Sequence, residues 1–306
     1  MDAPILVIAG PTASGKTSLA IELARGLDGE IISADSRQIY RCMNVGTAKP
    51  TPDEQAAAVH HLIDIVDPDV VYDASQWASA AAAAIDSIIS RDRLPIIAGG
   101  SGFYIEALFA GLSPIPSIPG ELRHHVKQTV TNDPDAAHAE LAKRDPEAAG
   151  RISPSDPQRL SRALEVYKAT GKPISYFQRL PKKPATKRPY LGFGLDWPRE
   201  TLWGRINQRS EAMIDGGLLE ETRALFECGY DRTTYALNTF GYREMAAVME
   251  GDLSMEDALE ALQQGSRQYA KRQMTWFRNR SGLNWIDPER EPCEEILRRL
   301  GSGRKA

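Results

Sequence analysis

Three observations predict an α/β fold built on a parallel sheet. A short continuous apolar run, ILVIA (5–9), feeds the string GPTASGKT (10–17), which opens SLAIELARGL (18–27) with its apolar residues at helical spacing. Strand and helix patterns then alternate: EIIS (30–33), LIDIV (62–66) and LPIIAG (94–99) read as strands, with a helix over 74–91 between the last two. After a long purely helical stretch, YLGFGLDW (190–197) returns to a strand pattern. The string at 10–17 fits the phosphate-loop pattern Gly-x-x-x-x-Gly-Lys-Ser/Thr, so the expected sheet is P-loop NTPase-like, flanked by helices and interrupted by a mainly helical insertion.

The phosphate loop comes first and fixes a ligand chemistry. Across Gly10, Pro11, Thr12, Ala13, Ser14, Gly15, Lys16 and Thr17 the glycines let the backbone bend round an anion. Successive N–H groups and a helix N-terminus then point at it. Lys16 adds a mobile positive charge, and the Thr17 hydroxyl can reach Mg²⁺. The expected ligand carries a diphosphate or triphosphate.

Directly after the second strand stands ADSRQIY (34–40). In a doubly wound sheet the carboxyl end of such a strand opens into the ligand crevice, so Asp35 is read as a general base, as a water-mediated partner of magnesium, or as the cap of the following turn. Ser36, Arg37 and Gln38 bring hydrogen-bonding groups to the same rim, and Gln is a natural bidentate partner for adenine. The next strand ends Gly99-Gly100-Ser101, where a phosphate-loop ATPase is expected to carry an Asp for magnesium. Those glycines either form a plain turn or permit close backbone approach to a ligand, with the Ser101 hydroxyl on a phosphate or a nucleobase. Asp64 lies inside the expected strand LIDIV rather than at its end. The absent terminal Asp weakens an ATPase reading.

GLSPIPSIPG (111–120) crowds three prolines and two glycines into ten residues and marks a boundary. The expected organisation is a catalytic core over 1–120 and 186–306, with a helical insertion over 121–185. The best-delimited helix of the insertion lies within 153–173: Asp156 is a natural N-cap, Pro157 occupies the first helical position, and Gly171 then Pro173 close it. Leu160, Leu164 and Tyr167 form its apolar stripe, which leaves Gln158, Arg159 and Arg162 on other faces. Beyond 198 helices are expected over 199–228, about 240–250 and 254–280, the last opened by Ser254 with Asp257 three residues on. A weak strand at NWI (284–286) and a charged tail follow.

The chain has 306 residues, ordinary apolar and charged fractions, and three scattered cysteines without metal or disulfide spacing. No basic segment followed by a cleavable apolar stretch opens the sequence, and no run approaches membrane-spanning length, so a cytoplasmic protein without a membrane partner is expected. His60-His61 and His124-His125 are adjacent pairs, and neighbours do not share a helix face, which disfavours a metal site. Net charge is −4, yet residues 1–120 hold 14 acids against 7 bases, so the excess of bases lies downstream. It concentrates in PKKPATKRP (181–189) and RQYAKRQMTWFRNR (267–280), both free of acids. Lys271, Arg272 and Arg278 can contact phosphates, while Trp276 and Phe277 are either base-stacking platforms or core. Arg205 and Arg209, one turn apart, either close over a diphosphate or lie solvated.

Taken together, GPTASGKT, DSRQIY, VGTAKP (45–50), HHLID (60–64), GGSGFY (99–104), DPQRLSRALEVY (156–167), TGKPIS (170–175), FGYRE (240–244) and RQYAKRQMTWFR (267–278) closely resemble the bacterial tRNA dimethylallyltransferases. DSRQIY and AKRQMTWFR carry more of the resemblance than the phosphate loop does. It implies that the loop holds not ATP but the diphosphate of dimethylallyl diphosphate, with Mg²⁺ bridging its oxygens, and that the prenyl group moves to N6 of the adenosine just 3′ of the anticodon. Asp35 matches the carboxylate that orients and deprotonates the N6 amine, and Ser101 stands where threonine is usual. Lys16 cradles the diphosphate, and Arg209 is the candidate second cation. Asp35, Ser36, Arg37, Gln38, Ser101, Arg123, Gln158, Arg159, Leu160, Ser161, Arg162, Gly241, Tyr242, Arg243, Lys271, Arg272, Gln273 and Arg278 fall in segments that resemble the family's tRNA contacts. The departures are Ser101 for threonine and Phe240 for an aliphatic residue, and the cysteine/histidine finger of many eukaryotic relatives is absent. A monomer acting on the tRNA anticodon arm is implied. A small-molecule or nucleotide kinase, a nucleotide-dependent RNA-binding switch, and a transferase acting on free adenine nucleotide are the alternatives.

Overall fold

The computed structural model describes residues 4–280 and 282–303. It divides into two compact units, one formed by Met1–Phe109 with Ala185–Ala306 and one by Ala110–Pro184. The first is an α/β unit. Its strands are β1 (Ile5–Ala9), β2 (Gly29–Ser33), β3 (His60–His61), β4 (Leu94–Gly99), β5 (Tyr190–Leu195) and β6 (Asn284–Ile286). They pair in parallel in the order β3-β2-β4-β1-β5-β6. The register Leu6↔Ile96 and Leu6↔Leu191 puts β1 between β4 and β5, with its carboxyl end level with theirs.

Period-2 alternation divides the side chains between the faces. Leu6, Ile8, Ile31, Ile96, Phe193 and Leu195 bury against Leu19, Ala20 and Leu23 of α1 (Lys16–Leu27) and against Ile296. On the other face Trp77 of α3 (Ala74–Ile89) donates its indole N–H to the Ser33 carbonyl at 2.9 Å and stacks on Tyr104 at 4.9 Å. α2 (Pro52–Ala57) lies between them in sequence, and Tyr104 belongs to α4 (Gly102–Phe109), which begins directly after the glycine-rich exit of β4.

The second unit is wholly helical: α5 (Gly120–Asn132), α6 (Pro134–Arg144), α7 (Pro146–Ala149), α8 (Pro157–Thr170) and α9 (Ile174–Arg179). Its own core is Val126, Val130, Leu141, Leu160, Leu164, Val166 and Phe177. Sequence capping signals set α8: the Asp156 carboxylate accepts from Arg159 N at 3.1 Å, and Gly171 ends the helix at φ 70°. The boundaries at 109/110 and 184/185 differ from the expected 120/121 and 185/186, because the proline-rich segment runs with the helices.

After β5 come α10 (Arg199–Asp215), α11 (Leu218–Glu227), α12 (Tyr242–Glu250), α13 (Met255–Arg280) and, beyond β6, α14 (Pro292–Gly303). Three expectations are corrected. The helix expected over 199–228 breaks at Gly216-Gly217, where Gly217 sits at φ 90°. The charged tail contains a helix. The strand expected at 62–66 is displaced to His60–His61, since Leu62 and Asp64 adopt φ 62° and 55°, which no ladder accommodates. Asp64 is turned aside to pair with the buried Lys49 ammonium, which also donates to the Tyr40 carbonyl at 2.8 Å.

Candidate active site

The carboxyl ends of β1, β4 and β2 lie side by side, and each releases one of the segments singled out by the sequence. The phosphate loop turns on Gly15, which holds φ 88° as the residue preceding α1, a conformation that favours glycine. Aromatic and cationic groups brace the loop from behind. Trp197 donates its indole N–H to the Ser14 carbonyl at 2.8 Å; Arg205 donates to the Ala13 carbonyl at 2.9 Å and lies 4.5 Å from the Trp197 ring centroid.

Lys16 folds its ammonium back onto the loop, donating to the Pro11 carbonyl at 2.5 Å and reaching Ser14 Oγ at 3.4 Å. Burial, then the nearby Arg209 charge, lowers its pKa to about 7, with Asp35 opposing. Arg209 donates to Thr12 Oγ1 at 3.1 Å, while its Nε is buried without a hydrogen-bond partner among the described residues. Burial also lowers the Arg209 pKa, again against the pull of Asp35. Lys16 and Arg209 thus place two enclosed cations beside the loop, a charge that an anion can balance. Thr17 stands in the first turn of α1, directly after Lys16. No group of three or more His, Cys, Asp or Glu suited to a metal exists among the described residues.

The Asp35 segment forms the opposite wall. Asp35 Oδ1 accepts from Arg37 N at 2.8 Å and Gln38 N at 3.4 Å, so the turn-capping reading holds for one oxygen. Oδ2 takes no hydrogen bond among the described residues. The adjoining Ser101 Oγ accepts from Ser36 N at 3.0 Å, and Ser101 N donates to the Ala34 carbonyl at 3.0 Å. Glycine is required at 99, where a Cβ would stand 2.1 Å from the Ala34 carbonyl oxygen. Arg37 reaches 5.7 Å from the exposed Tyr235 ring, with a buried Nη1 that has no hydrogen-bond partner among the described residues.

α13 crosses this site and splits its residues between faces. Tyr269, Gln273 and Trp276 turn towards the glycine exit. The Tyr269 pKa is pushed up to about 12 by burial and then by the Asp35 charge. A Cβ at Gly102 would come within 2.2 Å of the Trp276 ring. Phe277 is buried in the core. Lys271 and Arg278 instead line a separate cleft of about 670 Å³ with Trp197, Trp203, Met274 and Trp285. Arg278 pairs there with Asp196 at 2.7 Å.

Several side chains assigned to tRNA contact lie inside the protein. Gln38 accepts from Ser33 Oγ at 3.1 Å and donates to the Ala48 carbonyl at 3.0 Å, so both ends of its amide have internal partners. Tyr242 is fully buried and donates to Glu221 at 2.5 Å. Glu221, which the sequence reading passed over, also accepts from the amides of Asn44, Val45 and Gly46 at 2.9–3.1 Å. It therefore ties VGTAKP to FGYRE. Gly241 is buried at φ 95° and donates its N–H to Glu244 at 2.7 Å. Arg243 is exposed, pairing with the same carboxylate at 2.6 Å. In the helical unit Leu160 and Ser161 are buried, whereas Arg123, Gln158 and Arg159 are exposed and Arg162 is half-buried. Burial raises the pKa of Glu165; Arg162, 3.5 Å away, and Arg123 oppose that rise. Trp197 and Tyr269 also escaped the sequence reading. Position at the end of β5 signals the first, and the four-residue step from Tyr269 to Gln273 signals the second.

A family model described as IPP transferase matches residues 38–280. A tRNA dimethylallyltransferase of Syntrophobacter fumaroxidans is 42% identical over 288 residues, covering 94% of this chain and 84% of its own. The crystal structure of a full-length tRNA isopentenylpyrophosphate transferase from Bacillus halodurans is similar at TM-score 0.71 and 35% identity over 99% of both chains. A eukaryotic dimethylallyltransferase acting on tRNA is similar at TM-score 0.77 and 28% identity, over 94% of this chain and 74% of that one. With its phosphate loop, its Asp35 wall and these similarities, the chain belongs to the IPP transferase family.

Proposed function

We propose that this chain is a tRNA dimethylallyltransferase, moving the dimethylallyl group from dimethylallyl diphosphate to N6 of the adenosine 3′-adjacent to the anticodon and releasing diphosphate. One observation carries the reading: Asp35, a carboxylate with an oxygen uncommitted among the described residues, stands at the end of β2 and is separated from the phosphate loop by β4, a strand that ends in Gly-Gly-Ser where an ATPase would carry an Asp. The family relationship supports the same reaction.

The chemistry follows from those groups. Adenine N6 is a weak nucleophile because its lone pair is delocalised into the ring. Asp35 Oδ2 accepts one N6 proton while the nitrogen bonds to the allylic carbon. The carbon–oxygen bond to diphosphate breaks at the same time, and the leaving group departs with the electron pair. Lys16 and Arg209 neutralise the charge that grows on it. Mg²⁺, held by diphosphate oxygens and the Thr17 hydroxyl, would supply further charge neutralisation. Ser101, bonded to Ser36 N and to the Ala34 carbonyl, fixes the rim on which the base rests. The target base leaves its stack at a cost of a few kcal/mol, and contacts to the anticodon arm offset it. We assign those contacts to the helical insertion through Arg123, Gln158, Arg159 and Arg162, and to Ser36, Arg37, Arg243, Lys271, Arg272 and Arg278. The free thiols of Cys42, Cys228 and Cys293 fit a cytoplasmic setting, and the protein acts as a monomer on one tRNA.

The test is a set of three mixtures: labelled dimethylallyl diphosphate with unmodified tRNA, the same donor with AMP, and γ-labelled ATP with tRNA. Label in tRNA alone is expected. Label in AMP, or phosphate release from ATP without prenyl transfer, would replace the proposal with one of its rivals.

A further inference from the structure

Gln273 lies among residues assigned to RNA contact, yet its side chain is only 7% exposed and makes two interior bonds. Its carbonyl oxygen accepts from Thr12 N at 2.9 Å, and its amide nitrogen donates to the Gly100 carbonyl at 2.9 Å. Gly100 has no side chain to spare: a Cβ there would come within 2.2 Å of that amide nitrogen. At one end of the bridge, Thr12 takes the Arg209 guanidinium on its hydroxyl. At the other, Ser101 follows Gly100 and holds Ser36 N, next to Asp35. A single amide thus joins the loop that holds the leaving group to the strand end that presents the acceptor wall.

We infer that Gln273 is a positioning residue that sets the spacing between the donor cradle and the Asp35–Ser101 wall, and that it does not contact RNA. The inference rests on the proposed transfer reaction. The two bonds need one acceptor and one donor at fixed separation, which an amide provides and a carboxylate or a thioether does not. A displacement of about 1 Å between reacting groups lowers a transfer rate by about 100-fold. Loss of the bridge therefore acts on kcat, whereas loss of an RNA contact acts on tRNA affinity.

The experiment compares Gln273→Met and Gln273→Glu with the wild-type enzyme, using dimethylallyl diphosphate and unmodified tRNA. Both variants are expected to lose about 30- to 100-fold in kcat, with the tRNA Kd held within about 3-fold. Gln273→Glu adds a signature that a purely structural role would not give. Its ionised carboxylate repels the Gly100 carbonyl, but its protonated carboxyl restores the donor and acceptor pair. The ratio of its kcat to that of the wild type should therefore rise as pH falls, while the Gln273→Met ratio stays flat. If Gln273→Met fails to fold, the near-isosteric Gln273→Glu decides alone. Wild-type kcat in Gln273→Glu, a pH-independent ratio, or a loss confined to tRNA affinity each overturns the inference. Absence of transfer by the wild-type enzyme instead overturns the functional reading on which it rests.

Discussion

Raising the pH from 6 to 9 should weaken binding of inorganic diphosphate by about 100-fold through Lys16 alone. Burial and the Arg209 charge hold the Lys16 pKa at about 7, and the Pro11 carbonyl and Ser14 hydroxyl near its ammonium are neutral acceptors. An anion bound in the loop favours the charged form, so binding takes up a proton wherever the free ammonium has lost it. At pH 9, two units above that pKa, about one molecule in a hundred carries the charge beforehand. The penalty is about 1.4 kcal/mol per unit, or about 2.7 kcal/mol in all. The sign for folding follows from the same lowered value. The folded state binds fewer protons than the unfolded chain, so the empty protein gains stability from this group as pH rises from about 7 towards 10.5. Calorimetric titration with diphosphate in metal-free buffer at half-unit steps measures the affinity. The same series on Lys16→Arg, whose guanidinium stays charged, cancels the ligand's own titration. A wild-type to variant ratio that stays within about 3-fold across the range would refute the reasoning.

Asp35→Asn keeps an oxygen to cap Arg37 N, so it should lower kcat by about 100- to 10,000-fold with tRNA affinity nearly unchanged, as single-turnover transfer and filter binding would show. Glu221→Gln withdraws the charge from the carboxylate that holds three amides and the Tyr242 hydroxyl; a loss of about 2 kcal/mol is expected in chemical denaturation. Arg159→Ala, at an exposed position on α8 that pairs with Asp156 at 3.4 Å, should reduce the salt slope of tRNA binding by about one and leave kcat at saturating tRNA intact.

The parts of the fold legible in sequence are those decided locally. ILVIA, the phosphate loop and α1 form a contiguous unit, and α8 carries its own start and stop in Asp156, Pro157 and Gly171. The glycine-rich exit of β4 stands out in the sequence, but the contact that requires Gly99 is with Ala34 at the end of the neighbouring strand. What stayed hidden depends on partners far along the chain. The segment at 62–66 has the composition of a strand, but the Lys49–Asp64 pair and two residues at positive φ bend it away from the sheet. Tyr242 and Gln38 look like exposed recognition groups until Glu221 and the Ala48 carbonyl claim them. Gln273 meets Thr12 across 261 residues, a contact no local pattern encodes. The residues of α13 likewise separate only once the helix is packed, with Tyr269 and Gln273 on the reacting side and Lys271 and Arg278 in the tryptophan-lined cleft.

The most direct measurement is nucleoside mass spectrometry of unmodified tRNA after reaction with dimethylallyl diphosphate, combined with assay of the diphosphate released. The account predicts N6-dimethylallyl adenosine at the position 3′-adjacent to the anticodon, with one diphosphate per modified nucleoside, and neither product from Asp35→Ala. A modified nucleoside at another atom, or diphosphate released without it, would contradict the account.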